Sequence, residues 1–181
     1  MSHWPSERRT FKDEKTGRTI TQLTTTGNNV HLYFTENSFD CARNGIIFLS
    51  DRDSGEDRAP HEDPKYSLFR MDLDTGEMVR LSDDVLHGAG TVTKTPDSAL
   101  IAYHTADERV RLLDSRSGEL KTLYERQPGF ELSSVPSIAS NRRYVAFCRN
   151  EVTDAHVHYR GANYAGFKER FYMIKDGRIT V

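Results

Sequence analysis

Histidine, tyrosine, threonine and asparagine recur at every second position of the run His31-Leu32-Tyr33-Phe34-Thr35-Glu36-Asn37-Ser38-Phe39. In an extended chain a period of two places His31, Tyr33, Thr35 and Asn37 on one face and Leu32, Phe34 and Glu36 on the other. Such a face suits the hydroxyl and carboxylate groups of a sugar, and His31, Tyr33 and Asn37 are the candidate contacts. The competing reading is that these side chains bond to neighbouring strands or to water. A second candidate, His87, opens the stretch His87-Gly88-Ala89-Gly90. Glycine permits tight turns and close backbone approach, although a simple connecting loop uses the same residues. Lys94 can point a cation at an anionic ligand; its ordinary fate is solvation.

Two further histidines, His156 and His158, have the spacing that puts both imidazoles on one side of an extended segment. No third ligand of suitable type is close in sequence, so no metal ligand is assigned to this chain. The insertion at 51–63 does not have the spacing of a calcium loop and reads as solvated, and His104, at a strand end, reads as structural. The chain contains no Gly-x-Ser-x-Gly elbow, no Walker loop, no dinucleotide fingerprint and no Cys-x-x-Cys. Hydrolase and nucleotide-binding readings lose their best support.

Formal net charge is −2 in 181 residues, with Lys and Arg scattered among Asp and Glu. A nucleic-acid partner needs a concentrated basic face, so none is expected; a small polyanion needs only a few aimed cations. No apolar run approaches the roughly 20 residues of a spanning helix, and the opening MSHWPSERRTFKDE lacks the apolar stretch of a signal peptide. A cytoplasmic protein without a membrane partner is the expectation. Cys41 and Cys148 fit that address and read as small packed apolar groups.

The elements that must position these residues are set by a repeated phrase. It reads FKDEKTGRTITQL, FRMDLDTGEMVRL, RLLDSRSGELKTL and YMIKDGRITV, with turn glycines Gly17, Gly76, Gly118 and Gly177 separated by 59, 42 and 59 residues. A period of about forty residues with several short strands per repeat indicates propeller blades. The expected fold is therefore all-β, a β-propeller of four-stranded antiparallel blades with about three blades present. The repeats fall at about 8–24 (partial), 31–82, 91–124 and 134–181. Alternation and turn chemistry give strand A at 31–39, 91–95 and 134–139, strand B at 44–51, 98–105 and 142–149, and strand C at 66–72, 109–114 and 170–175. Strand D follows each glycine turn. The segment 11–23 supplies only the C and D strands of an incomplete blade. Open edges on both sides, and a tendency to aggregate, are expected of a chain that ends within its fourth repeat. Insertions at 52–65 and 150–169 lengthen the B-to-C connection, on the same side of the meander as the D-to-A loops. Function is expected on that side, because binding residues gather on loops carried by a rigid scaffold.

FKDEKTGRTITQLT, HLYFTENSF, NGIIFLSDRD with LFRMDLDTGEMVRLSD, and FKERFYMIKDGRIT together resemble the amino-terminal part of the oligogalacturonate lyases. The Asp-Thr-Gly-Glu phrase is shared with TolB-like and other propellers; its combination with the 31–39 stretch is more specific. The resemblance implies a seven-bladed propeller that acts by β-elimination on oligogalacturonate, a short acidic sugar, in intracellular pectin breakdown. It also implies a divalent metal, Mn2+ or another, held by a His-rich cluster in the carboxy-terminal half, so that catalytic residues are unassigned and this stretch alone is expected to be inactive. A non-catalytic TolB- or WD40-like propeller serving as a protein-interaction platform is the alternative, and the propeller of a peptidase a third.

Overall fold

Each of the first three Asp-Gly phrases closes into the same turn in the computed structural model, which describes residues 2–55, 59, 65–86, 88–151, 169–175 and 178–180. The side chain of Asp13 accepts the N–H of Thr16 at 2.8 Å, that of Asp72 accepts Asp74 and Thr75 at 2.9 Å, and that of Asp114 accepts Arg116 and Ser117 at 2.8 and 3.0 Å. The glycine N–H then returns to the carbonyl of the same aspartate at 2.8, 2.8 and 2.9 Å for Gly17, Gly76 and Gly118. All three glycines have φ between 68° and 78°, a region that costs a residue with a Cβ. The hydroxyl of Thr16 and the N–H groups of Thr75 and Ser117 are the main donors that hold these carboxyls below the ordinary Asp value.

The chain divides into two units, Met1–Ala89 and Gly90–Val181. The first holds β1 (His3–Trp4), β2 (Arg9–Lys12), β3 (Thr19–Gln22), β4 (Asn29–His31), β5 (Phe39–Asp40), β6 (Gly45–Ser50), β7 (Ser67–Asp72) and β8 (Met78–Arg80). Its main sheet runs β1-β8-β7-β6-β4, with β5 also paired to β6. Phe48, Phe69, Met71 and Met78 form one cluster of its core, covered by Trp4, Leu23 and Ile46. The hairpin β2–β3 is a separate two-stranded sheet, the C and D pair expected of an incomplete blade. All eight of its residues are exposed, and Phe11 and Ile20, directly opposed, share one face.

The second unit holds β9 (Val92–Lys94), β10 (Leu100–His104), β11 (Val110–Asp114), β12 (Leu120–Tyr124), β13 (Phe130–Ile138), β14 (Tyr144–Glu151), β15 (Glu169–Lys175) and β16 (Arg178–Thr180). These form two four-stranded antiparallel meanders, β9 to β12 and β13 to β16. Val110, Tyr124 and Phe147 join the two, with Leu123 and Leu132 against them. The Arg149 guanidinium lies 4.0 Å from the Phe130 ring centroid and 5.7 Å from that of Tyr124. Arg142 reaches Asp97 at 3.0 Å. The hydroxyl of Thr95, the N–H of Ala99 and Arg142 bring Asp97 down to about 2 against the opposing effect of burial. Four-stranded antiparallel blades of this kind are the architecture of a β-propeller.

Strands B and C fall within two residues of where alternation places them, β8 and β12 follow the turns at Gly76 and Gly118 as strand D, and β13 begins four residues before the expected strand A. Strand A of the first blade does not run continuously. His31 pairs with Phe48 and Phe39 with Ile46, so Ile47 alone faces seven residues of the facing strand. The ladder resumes because the Ile47 N–H bonds the Ser38 carbonyl at 2.8 Å, and residues 33–37 leave the sheet as a turn closed by Glu36 N–H to Tyr33 O at 2.8 Å. The physical cause is the burial of Leu32 at one end and Ser38 at the other, locked by Leu32 N–H to Ser38 Oγ at 3.0 Å. The expected single polar face of His31, Tyr33, Thr35 and Asn37 is thereby corrected. A smaller interruption lies in β13, one residue further along its partner strand, where residues 134–136 face Phe147 alone and Ser134 has φ 61°. Cys148 is buried as expected, whereas Cys41 is exposed.

Candidate functional site

A polar clamp fixes the entry to β4. Arg52, whose side chain is 2% exposed, lies over the rings of Phe48 and Phe69, with centroids at 5.7 and 5.5 Å. Its guanidinium donates to Glu7 Oε1 at 2.9 Å, Asn29 Oδ1 at 2.7 Å and Ser50 Oγ at 3.0 Å. Glu7 also accepts the N–H groups of Thr25 and Thr26 at 2.6 and 3.1 Å and the Thr26 hydroxyl at 2.5 Å. Burial opposes ionisation of Glu7, but the bonds from Thr26 and Thr25 and the charge of Arg52 hold its carboxyl below the ordinary value. Burial likewise lowers the Arg52 pKa, against the raising effect of Glu7. Next to this pair, Asp51 takes the backbone and side-chain N–H groups of Asn28, each at 2.6 Å. Gly27 has φ 69°, and a Cβ there would stand 2.9 Å from Asp51 Oδ1. Only glycine fits this corner without displacement. The far end of the excursion is held by Asp40, fully buried, which accepts Arg43 at 2.7 Å and Arg70 at 3.1 Å.

Between these anchors His31 and the turn at 33–37 are presented to solvent. The imidazole Nδ1 of His31 touches the Leu32 carbonyl. A carbonyl only accepts, so Nδ1 carries the proton and Nε2 of the neutral ring remains an acceptor. His31 also borders a cavity of about 130 Å³ lined chiefly by Leu23, Val30, Ile46, Phe48 and Met71. Tyr33 and Phe34 are 40% and 78% exposed, their ring centroids 4.4 Å apart. Asn37 is exposed, but its Oδ1 accepts the Phe39 N–H at 2.9 Å, closing an Asx turn. The arrangement offers two aromatic faces beside hydrogen-bonding groups.

Of the residues singled out in the sequence, His31, Tyr33 and Asn37 thus lie in the first unit, His31 as the last residue of β4 and Tyr33 and Asn37 on the turn that follows it rather than on a strand. Lys94 belongs to the second unit, in β9, all three residues of which are buried, and is 8% exposed. His87, His156 and His158 lie outside the described residues. His104 is buried, as its structural reading requires, and burial takes its pKa down to about 4. Arg52 and Glu7 were not legible as a pair. They lie 45 residues apart, and Arg52 falls in an insertion that reads as solvated. Among the described residues no group of three His, Cys, Asp or Glu is arranged to hold a metal ion, and no helix is long and apolar enough to cross a membrane.

The sequence matches no family model and no curated protein. Solved structures do match. An oligogalacturonate lyase from Vibrio parahaemolyticus superposes with a TM-score of 0.77 at 16% identity, covering 99% of this chain and 47% of the lyase. An oligogalacturonate lyase in complex with manganese gives 0.75 at 16% identity with the same coverage. A TolB-like protein, the putative TolB of Agrobacterium tumefaciens, gives 0.51 at 13% identity over 98% of this chain and 62% of that one. By fold the chain is a set of propeller blades like those of oligogalacturonate lyases, and it spans about half the length of the lyase structures it matches.

Proposed function

We propose that these blades belong to an oligogalacturonate lyase acting on short galacturonate chains in cytoplasmic pectin breakdown. The observation that carries the reading is the match to two such lyases over 99% of the chain. In the reaction a base takes the proton at C5, beside the sugar carboxylate. The C5–H electron pair forms the C4=C5 bond, and the C4–O bond breaks to release the next sugar, whose oxygen then takes a proton. A divalent metal bound to the carboxylate would stabilise the negative charge developing there. The described residues do not form a ligand set for it, so no step through a metal is assigned to this chain.

The role of this chain is to bind and orient the substrate. First strands of propeller blades line the central channel, and β4 with its excursion is such a strand. His31 Nε2 accepts a sugar hydroxyl, and Tyr33 and Asn37 flank it. Replacing His31 with alanine in the intact protein is expected to raise KM for digalacturonate about three- to tenfold, the value of one hydrogen bond, with an unchanged Tm because the side chain is exposed. Unchanged kinetics would remove His31 from the site.

A further inference from the structure

The excursion does something that alternation forbids: it turns two consecutive side chains, Tyr33 and Phe34, toward each other, with ring planes 44° apart and centroids 4.4 Å apart. Neighbouring residues of a strand point to opposite faces, so this pair exists only because residues 33–37 leave the ladder. Phe34 is 78% exposed, the largest apolar exposure in a segment whose backbone is pinned at both ends. The Leu32 N–H to Ser38 Oγ bond, the Glu36 N–H to Tyr33 O bond and the Asx turn at Asn37 together fix the loop. A fixed loop gives up little entropy when it binds.

We infer that Tyr33 and Phe34 form a stacking platform for one galacto-configured hexuronate ring, and that Phe34 sets the preference for galacto over gluco substrates. This rests on the lyase reading above. The footprint favours a sugar over a protein, because one exposed ring with a tilted second ring at its side falls far short of the roughly 800 Å² per partner of a stable protein interface. The surroundings agree, since the rings are followed by Thr35, Glu36 and Asn37 and preceded by His31, all able to hydrogen-bond. In a galacto-configured ring the axial 4-oxygen leaves the hydrogens of C3, C4 and C5 as one apolar patch, which an aromatic face covers; in a gluco-configured ring that patch is broken. The tyrosine hydroxyl adds a polar handle at the rim.

The test is calorimetric titration of the intact protein with digalacturonate and with a gluco-configured uronic disaccharide. The wild type is expected to prefer digalacturonate. Phe34→Ala should bind it about three- to tenfold more weakly, the value of one aromatic contact, and lose the preference, while Phe34→Tyr keeps both. If the wild type binds digalacturonate and Phe34→Ala binds it equally well, the platform is refuted and the lyase reading stands. If the wild type does not bind digalacturonate, the lyase reading falls and the platform with it. A Phe34→Ala variant that keeps its affinity but melts several degrees lower marks Phe34 as a packing residue and overturns the platform.

Discussion

Glu7→Ala is expected to lower the stability of the first unit by about 1–3 kcal/mol, between the value of an exposed ion pair and the loss on breaking a fully buried one from one side. Arg52 is sealed beneath the chain, 2% exposed against 16% for Glu7, and rests on two aromatic rings. Without Glu7 the guanidinium keeps Asn29 and Ser50 but has lost the carboxylate bonded to it, and the N–H groups of Thr25 and Thr26 lose their acceptor. The loss should spread along the amino-terminal segment. That segment is tied to the blade through β1, through Arg8 to the Leu73 and Asp74 carbonyls at 2.8 and 2.5 Å, and through Ser6 and Arg8 against Gly76. Trp4, the single tryptophan, packs edge-on to Phe69 at 5.0 Å and reports its release. In urea its emission should shift red at a clearly lower midpoint in Glu7→Ala. The double replacement Glu7→Gln with Arg52→Met, which removes the charges together, should recover much of the loss. An unchanged midpoint in Glu7→Ala would show that the clamp is not a stabilising element.

The second large effect is on pH dependence. Gly45, Leu100 and Tyr144 each pair with the last residue of the following strand, Asp72, Asp114 and Lys175. Counting from there, His104 occupies the position of Leu49 in the first blade and Cys148 in the third, both buried. A histidine thus sits where the fold wants an apolar group, with its Nε2 buried and unpartnered. Burial lowers its pKa to about 4 from the ordinary 6.5. Between these values the unfolded chain holds a proton that the folded one refuses, so folded-state stability is fully present above about pH 6.5 and is lost as pH falls towards 4. The loss is on the order of 3 kcal/mol, one pKa unit being about 1.4 kcal/mol. His104→Leu should abolish that decline while leaving the steeper loss below about pH 4, where Asp97, Asp72 and Asp114 take up protons. Melting temperatures of both proteins from pH 7 to 4 decide the matter. Parallel curves would assign the decline to other groups.

The blades were legible because their signals are local. An aspartate that accepts N–H groups two or three residues on, followed by a glycine of positive φ, announces itself in a single phrase. The excursion was hidden because His31 to Phe39 alternates as well as any strand. One warning was present in Thr35-Glu36-Asn37-Ser38, a polar cluster of loop composition. What decides the outcome is long-range: Ile47 has room for one partner, and Ser38 takes it. The clamp was hidden for the same reason. Nothing near Arg52 in the sequence shows that Phe48 and Phe69 lie beneath it or that Glu7 arrives from the amino terminus. Candidate contacts could be named from residue type, but which of them share a surface depends on these distant bonds.

The most direct measurement of the proposed function is ultraviolet absorbance of the intact protein with digalacturonate and Mn2+, because elimination creates a C4=C5 bond conjugated to the carboxylate. A steady rise that stops when the metal is chelated and returns when it is restored is the expected result. A flat trace in both conditions contradicts lyase function and leaves the blades as an interaction platform.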